Sequence, residues 1–176
     1  MKYAKIFLCD VANGPGCRTS LFVSGCTHHC KDCFNEIAWD FNYGKNFTPE
    51  VEDMLIAETD HPYIAGITIL GGEPMEVVNQ KALRPFIERV RQELPNKTVW
   101  IYSGYTWEEL NDANNPRCHC GDTDAILSMT DILVDGEFVA AQKNVSLTFR
   151  GSSNQRIIDV PQTRASGSVV LSEYNK

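Results

Sequence analysis

The residues best suited to chemistry in this chain are three cysteines, Cys26, Cys30 and Cys33, which lie within eight residues at the spacing Cys-x3-Cys-x2-Cys. They follow the apolar run 21–23, so their loop begins where a strand is expected to end. Such a loop can place three sulfurs around one soft metal centre, but it offers no fourth. Because iron–sulfur clusters normally take four Cys thiolates, a trio suggests a cluster with one iron open to a small molecule.

A structural zinc site is the alternative interpretation of the same cysteines. Zinc binds Cys and His in tetrahedral sites, and a fourth ligand could come from His28, His29 or a distant cysteine. The spacing alone favours the cluster but leaves the zinc site open.

Length, charge and composition describe an ordinary folded domain. The chain has 176 residues, of which 43% are apolar, enough for a single domain with a full hydrophobic core. Its net charge of −7 argues against nucleic-acid binding, which normally requires a basic face. No run approaches the length of a membrane span, and the N-terminus has no secretion signal. Seven cysteines without such a signal indicate metal or redox use rather than a disulfide framework, so we expect a cytoplasmic protein with no membrane partner.

Strand and helix patterns alternate along the chain. Strands are predicted at 3–9, 19–24, 63–70, 98–102 and 132–134. Helices are predicted to begin at Thr48, at Asn79 and at the capping box Thr106–Glu109, with a further helical turn at 125–129. This order predicts an α/β fold with a mainly parallel sheet. With about half the units of an eight-fold barrel, the sheet must be a partial (open) β/α barrel.

A glycine turn follows the most apolar strand. The stretch 63–70 has the composition of a strand buried on both faces, and it ends at Gly71-Gly72-Glu73-Pro74. The glycines alone could simply make a tight turn with positive φ. Since ligands bind at the carboxyl ends of parallel strands, we expect the cysteine loop and the glycine turn to meet at one rim. There the glycines would let a ligand approach the backbone, and Glu73 would offer a carboxylate to a ligand amine.

Together, the cysteine trio and the glycine turn resemble the radical S-adenosylmethionine superfamily. More narrowly, the chain resembles the activating enzymes of anaerobic (class III) ribonucleotide reductases. The matching stretches are 13–18, 21–26, 33–35 with Trp39, 71–74, 100–105, 133–139 and 149–155. They cover residues 1 to about 158 with one interruption, which implies an activase domain at 1–160 and a C-terminal tail at 161–176.

The resemblance implies a [4Fe-4S] cluster on Cys26, Cys30 and Cys33, through which these residues would act catalytically. Its open iron would bind the amino and carboxylate groups of S-adenosyl-L-methionine and hold the sulfonium close to the cluster. Reductive cleavage would then give methionine and a 5′-deoxyadenosyl radical, which takes a hydrogen atom from a glycine of the reductase. The implied partners are the large subunit of an anaerobic ribonucleotide reductase, a glycyl radical protein, and a flavodoxin- or ferredoxin-type electron donor.

The same resemblance assigns contacts on the methionine side of the ligand. Gly71, Gly72 and Glu73 would hold the methionine amine. The stretch 13–18 would form part of the rim, where Arg18 could meet a carboxylate of the ligand or the partner. A structural salt bridge is an equally good interpretation of Arg18.

On the adenine side, the resemblance implies that the chain at Asp32, Cys33 and Phe34 lies along the ring, with Ser103 and Tyr105 beside the ribose. A turn serine and a core tyrosine explain the last two residues equally well. Asp32 departs from the family, because the superfamily often has an aromatic residue there and the activases often have a glycine. A backbone contact with adenine survives that change, but a stacking contact is put in doubt.

A polar segment, 111–123, interrupts the match and is expected to be an inserted surface loop. It contains Cys118 and Cys120, whose single intervening residue is shorter than the usual spacing of zinc ligands. We therefore expect free loop cysteines or a redox-labile pair rather than a second metal site, even with Cys9 and Cys17 as further thiols.

Two other functions remain open. The first is a different small radical enzyme that acts on a metabolite, although the stretch 149–155 and the open side of a partial barrel favour a macromolecular substrate. The second is a non-catalytic zinc-binding interaction module, which explains the cysteines but not the glycine turn or the parallel α/β order. His28 and His29 are expected to face solvent or lie beside the cluster rather than to be ligands.

Overall fold

The computed structural model describes all residues of the chain, 1–176. Strands and helices alternate along most of it. The strands are β1 (Lys2–Asp10), β2 (Cys17–Val23), β3 (Lys45–Asn46), β4 (Ile64–Gly71), β5 (Thr98–Tyr102), β6 (Ile132–Asp135) and β7 (Arg156–Asp159). The helices are α1 (Pro49–Thr59), α2 (Val77–Glu93), α3 (Trp107–Leu110), α4 (Thr123–Ser128) and α5 (Val160–Ser166), with short 3₁₀ helices at Glu36–Trp39 and Ala140–Gln142.

One sheet holds the seven strands in the order β3-β1-β2-β4-β5-β6-β7. Its centre is parallel, since β2, β4, β5 and β6 run in the same direction. Its flanks are antiparallel, because β1 pairs with β2 and β3, and β7 pairs with β6. The outermost strands, β3 and β7, do not pair with each other, so the sheet is open. The predicted α/β fold with an open sheet is confirmed, but the sheet is parallel only at its centre, and a partial barrel is not confirmed.

Alternating strand residues are divided between the two faces of this sheet. Ile67, Ile69 and Ile101 belong to the main core of 22 buried residues, which also contains the apolar residues of α2. On the opposite face, Trp100 and Val134 belong to a smaller buried cluster. Both faces of the central strands are therefore covered, as the continuous apolar stretch in β4 predicts.

The long helix α2 combines a buried stripe with a charged outer face. Its buried apolar residues are Leu83, Phe86, Ile87 and Val90, which follow the predicted helical period. On the outer face, Arg89 forms ion pairs with Glu52, Asp53 and Glu93. These pairs are partly exposed, so we assign this face to solvent rather than to a ligand.

Two of the predicted helix caps can be compared with the structure. The capping box at Thr106 and Glu109 is confirmed. Helix α2, in contrast, begins two residues before Asn79, so Asn79 does not cap it. The buried Asn79 side chain instead donates to the carbonyl oxygens of Ser24 and Glu73, and it thereby connects the end of β2 to the glycine turn.

The C-terminal residues fold back onto the sheet. Asp159 caps α5 by accepting a hydrogen bond from the backbone N–H of Gln162. Beyond α5, Leu171 forms an isolated bridge with Ile158 of β7, and the Tyr174 ring packs 5.6 Å from that of Trp100. None of the helices is both long and apolar enough to cross a membrane.

Candidate active site

The cysteine loop and the glycine turn meet directly at one end of the parallel strands. The backbone N–H of Gly72 donates to the carbonyl oxygen of Val23 at 2.8 Å. The next N–H, that of Glu73, donates to the carbonyl oxygen of Gly25, also at 2.8 Å. The two motifs are therefore joined through their backbones, at the carboxyl ends of β2 and β4, as the sequence predicts.

A cavity of about 440 Å³ opens at this junction, a volume within the range of small-molecule sites. Nine of the residues that line it are those the sequence singles out: Cys26, Cys30, Asp32, Cys33, Phe34, Gly71, Gly72, Glu73 and Ser103. Apolar side chains, among them Trp39, Leu70 and Phe138, complete much of the wall. The structure thus brings these nine candidate residues to one pocket, but not Arg18 or Tyr105.

The three cysteines of the loop are free thiols. Cys26 is buried, and burial raises the pKa of its thiol to about 12. Burial also raises the pKa of Cys30, which is half-buried. Iron binds thiolates, so these thiols must lose their protons when a cluster is assembled. No three His, Cys, Asp or Glu side chains converge on a single-ion site.

The donor set at the loop fits an iron–sulfur cluster better than zinc. A zinc site would need one of the two loop histidines or a distant cysteine as its fourth ligand. Both ring nitrogens of His28 face carboxylates, and the ring of His29 stacks on that of Trp39 with 4.5 Å between centroids. The three sulfurs therefore stand without a histidine partner, which is the set expected for a cluster with one open iron.

The Glu73 carboxylate is the centre of a buried hydrogen-bond network. Its side chain is only 1% exposed. Oε1 accepts from the backbone N–H of Met75 at 2.8 Å and from Ser103 Oγ at 2.9 Å. Oε2 accepts from the backbone N–H of Gly104 at 2.6 Å and from His28 Nε2 at 3.0 Å. Both oxygens are thus fully engaged, and Ser103 points to this carboxylate.

His28 connects Glu73 to a third loop. Its Nδ1 lies 2.5 Å from Oε1 of Glu137, which follows β6. Burial opposes a charge on the imidazole, but the hydrogen bonds and charges of Glu73 and Glu137 outweigh it and raise the pKa of His28. The sequence places His28 near the cluster but gives no sign of its two partners, because they lie 45 and 109 residues away.

Asp32 adopts a left-handed backbone conformation, with φ of 59°. Glycine enters this region freely, and Asp is one of the few other residues that do so routinely. The conformation therefore provides a physical reason why a glycine and an aspartate are both suited to this position.

Arg18 and Tyr105 are core residues rather than rim residues. Arg18 is fully buried, and its Nε and Nη1 donate to the hydroxyls of Thr68 and Thr98 at 2.7 and 2.9 Å. Its guanidinium lies 5.3 Å from the centre of a Trp100 ring, and it forms no salt bridge. All three interpretations of Arg18, contact with the ligand, contact with the partner and a salt bridge, are therefore wrong. Tyr105 is fully buried in the main core.

The predicted surface loop at 111–123 is mostly exposed, but Cys118 and Thr123 within it are buried. Cys118 is fully buried in the main core, contrary to the prediction. The buried Gln80 of α2 holds this part of the loop, because its Nε2 donates to the carbonyl oxygen of Cys118 at 2.7 Å and its Oε1 accepts from the hydroxyl of Thr123 at 2.7 Å. The only signal of this contact in the sequence is a glutamine within an apolar helix stripe.

Two further cysteines differ from the expectation. Cys9 and Cys17 form a disulfide between β1 and β2, whereas the sequence suggests free thiols. Cys118 and Cys120 are both free thiols.

Comparison with known proteins also indicates an iron–sulfur site. Residues 12–158 match the family model described as a 4Fe-4S single cluster domain. A relative from Vibrio cholerae is 40% identical over 89% of this chain and 97% of its own length. Relatives from Escherichia coli K12 and from Enterobacteria phage T4 are 38% and 33% identical, over 88% and 89% of this chain and 96% and 93% of their own lengths. All three are named anaerobic ribonucleoside-triphosphate reductase-activating protein.

Proposed function

Since this chain belongs to the family of anaerobic ribonucleoside-triphosphate reductase-activating proteins, we propose that it is a radical S-adenosylmethionine enzyme that installs a glycyl radical on such a reductase. The observation that carries this proposal is the shared cavity of the cysteine loop and the glycine turn. Cys26, Cys30 and Cys33 supply three sulfurs for a [4Fe-4S] cluster and leave one iron for the ligand.

The bound cluster would supply one electron to the S–C5′ bond of S-adenosylmethionine, which gives methionine and a 5′-deoxyadenosyl radical that takes a hydrogen atom from a glycine of the reductase. The chain itself would bind and orient the ligand and keep water out of the site. The apolar wall with Trp39, Leu70 and Phe138 would exclude water from a reaction that water and oxygen would divert.

The glycine turn would receive the methionine end of the ligand. Gly71 and Gly72 line the cavity, so the ligand would meet their peptide groups there. The space of their missing side chains is filled by the backbone of Phe22 and Gly25, so the glycines allow the turn to pack against β2 and the cysteine loop. The Glu73 side chain would place its negative charge beside the methionine amine, while its four protein hydrogen bonds keep the turn in one conformation.

The second half of the cysteine loop would receive the adenine. Asp32, Cys33 and Phe34 all line the cavity, and the backbone of this stretch would lie along the ring. The 82% exposed side chain of Phe34 leaves the cavity open at this edge, where the glycine-bearing segment of the reductase would enter. Ser103 would contribute to the ribose side indirectly, since its hydroxyl is directed to Glu73.

Two partners follow from this chemistry. The large subunit of the anaerobic ribonucleotide reductase would carry the target glycine. A flavodoxin- or ferredoxin-type protein would supply the electron. Residues 1–160 would form the activating domain, with 161–176 as a C-terminal segment.

The test is anaerobic reconstitution of the chain with iron and sulfide, followed by reduction in the presence of S-adenosylmethionine. We expect 5′-deoxyadenosine as a product and, on addition of the cognate reductase, a glycyl radical signal in electron paramagnetic resonance (EPR). Cleavage without that signal would favour an enzyme that acts on a different substrate. A colourless zinc protein with no cleavage would contradict the proposal and support an interaction module.

A further inference from the structure

His28 occupies a narrow slot between the cysteine loop and the end of β5, where it also lines the candidate cavity. Its side chain is 3% exposed. Its ring packs 4.2 Å from that of Tyr105, measured between centroids. On another side it lies against Gly104, where an added Cβ would come within 2.6 Å of Nε2. The slot thus fixes the ring so that Nε2 faces Glu73.

We propose that His28 is a positioning residue, which holds the cysteine loop in register with the glycine turn by donating a hydrogen bond from Nε2 to Glu73. This inference rests on the proposed function, because it concerns how the cluster ligands and the methionine-binding turn are held together. Its effect on the ligand would pass through Glu73, to which its Nε2 is bonded.

The origin of the donors to Glu73 supports this role. The N–H of Met75 belongs to the same turn, and Ser103 and Gly104 both come from the end of β5. His28 is the one donor to this carboxylate that comes from the cysteine loop. His28 therefore connects the cysteine loop to the glycine turn through its side chain. In sequence it lies midway between the first two cluster cysteines.

A second side-chain link holds only the start of the loop. Thr27 donates from its backbone N–H and its hydroxyl to Glu76 at 2.7 and 2.6 Å. Beyond Thr27, His28 provides the next anchor, and the loop then reaches Cys30 and Cys33, which are only half-buried. Loss of the His28 anchor would therefore release the later part of the loop and leave its start in place.

The bond from His28 to Glu137 offers a rival explanation, in which His28 matters only by fastening the loop after β6. The Glu137 side chain is 49% exposed, so this bond is expected to stabilise less than the bond to the buried Glu73. Two substitutions separate the two bonds. The amide nitrogen of Gln reaches the position of the imidazole Nε2, whereas that of Asn reaches only the position of Nδ1.

The experiment compares His28→Gln and His28→Asn with the matched control His29→Asn, whose side chain is in the same loop but stacks on Trp39. In the reconstituted enzyme, compared at equal cluster content, we expect His28→Asn to raise the KM for S-adenosylmethionine about tenfold, the low end of the effect of losing a supporting side chain at a metal site. The EPR change that S-adenosylmethionine causes in the reduced cluster should need a correspondingly higher concentration. His28→Gln should restore both values, and His29→Asn should match the wild type.

A second measurement does not depend on the cluster. In the metal-free protein, hydrogen–deuterium exchange of residues 28–33 and of the Gly104 amide should be faster in His28→Asn than in His28→Gln or His29→Asn. The inference is wrong if His28→Asn behaves as the wild type, or if His28→Gln is as impaired as His28→Asn. If the wild type itself fails to cleave S-adenosylmethionine, the proposed function fails, and the exchange data alone decide whether His28 positions the loop.

Discussion

The backbone N–H of Glu73 donates to the carbonyl oxygen of Gly25 at 2.8 Å, and this bond joins the two halves of the candidate site. One residue earlier, Gly72 lies so close to the same carbonyl that an added Cβ would stand 2.6 Å from it. The bond therefore requires glycine at position 72, because any side chain there would push the cysteine loop away from the turn.

Gly72→Ala should therefore separate the loop from the turn. The new Cβ would meet the carbonyl oxygens of Gly25 and Ala38 at 2.6 and 2.9 Å, and both are backbone atoms that cannot rotate away. We expect a loss of about 1–3 kcal/mol in the free energy of unfolding, as for other overpacked sites. We also expect S-adenosylmethionine cleavage to fall at least tenfold, measured as 5′-deoxyadenosine per reconstituted cluster.

Gly121→Ala is the matched control for this substitution, since a Cβ at Gly121 would meet nothing within 4 Å. It should change neither stability nor cleavage. Wild-type cleavage in Gly72→Ala would mean that the close approach of the two motifs has no role in the reaction.

The cysteines provide a second prediction. Replacement of Cys26, Cys30 or Cys33 by Ala should remove iron and abolish cleavage, because each would leave the cluster with one sulfur fewer. Cys118→Ala should keep its iron and most of its activity, and should lose about 1 kcal/mol of stability, because Cys118 is buried in the main core. Iron per chain and urea unfolding measure the two effects. Loss of iron in Cys118→Ala would contradict the assignment of the cluster to the loop trio.

Asp32 allows a test of backbone conformation. Because φ of Asp32 is 59°, Asp32→Gly should be tolerated or slightly stabilising. Asp32→Val should lower the free energy of unfolding by about 1–2 kcal/mol, the cost of a left-handed conformation for an ordinary residue. Lys31→Val controls for the apolar side chain itself, because Lys31 is a neighbouring exposed residue without a positive φ. Urea unfolding and the KM for S-adenosylmethionine are the measurements. Equal stability of Asp32→Val and Lys31→Val would show that the loop does not hold this conformation.

Removal of iron should leave the fold intact. The start of the loop is held by backbone bonds from Gly25 to Ala38 at 2.8 Å and from Cys26 to Trp39 at 3.1 Å, neither of which needs a metal. Small zinc modules, in contrast, unfold when their metal is removed. We expect the metal-free protein to keep the circular dichroism spectrum and a cooperative thermal transition. Unfolding on chelation would support a structural metal and count against an open cluster site.

The parts of this site that the sequence predicts are those that depend on short stretches and on sheet topology. Because the ends of parallel strands lie at one edge, the strand pattern alone places the cysteine loop beside Gly71-Gly72-Glu73-Pro74. The same pattern does not predict the partners of His28, because it places the loops at one edge but does not specify which side chains of those loops, here Glu73 and Glu137, bond to one another.

Two other features of the structure differ from the sequence prediction because they also depend on hydrogen bonds between distant residues. A buried arginine such as Arg18 is expected to pair with a carboxylate, yet here hydroxyl and carbonyl oxygens of β4 and β5 satisfy it. The polar composition of 111–123 predicts exposure, but Cys118 is buried in the core, and its carbonyl oxygen accepts a hydrogen bond from the buried Gln80. Local composition cannot specify such long-range hydrogen bonds, which depend on which elements become neighbours.

Gln80 itself gives the last prediction. Gln80→Leu would keep the size of the side chain but remove the 2.7 Å donor to the carbonyl oxygen of Met75. It would also leave only the weaker 3.3 Å bond between the hydroxyl of Thr123 and the carbonyl oxygen of Cys118, in place of the 2.7 Å bond that each of these two groups now makes with Gln80. Buried groups that lose a partner cost about 1–3 kcal/mol, so we expect a loss of that size in urea unfolding. Lys81→Leu, at the exposed neighbouring position of α2, should unfold close to the wild type. Faster proteolysis within 111–123 in Gln80→Leu alone would locate the loss in the inserted loop, whereas equal stability of the two variants would mean that packing, and not this amide, holds the loop in the core.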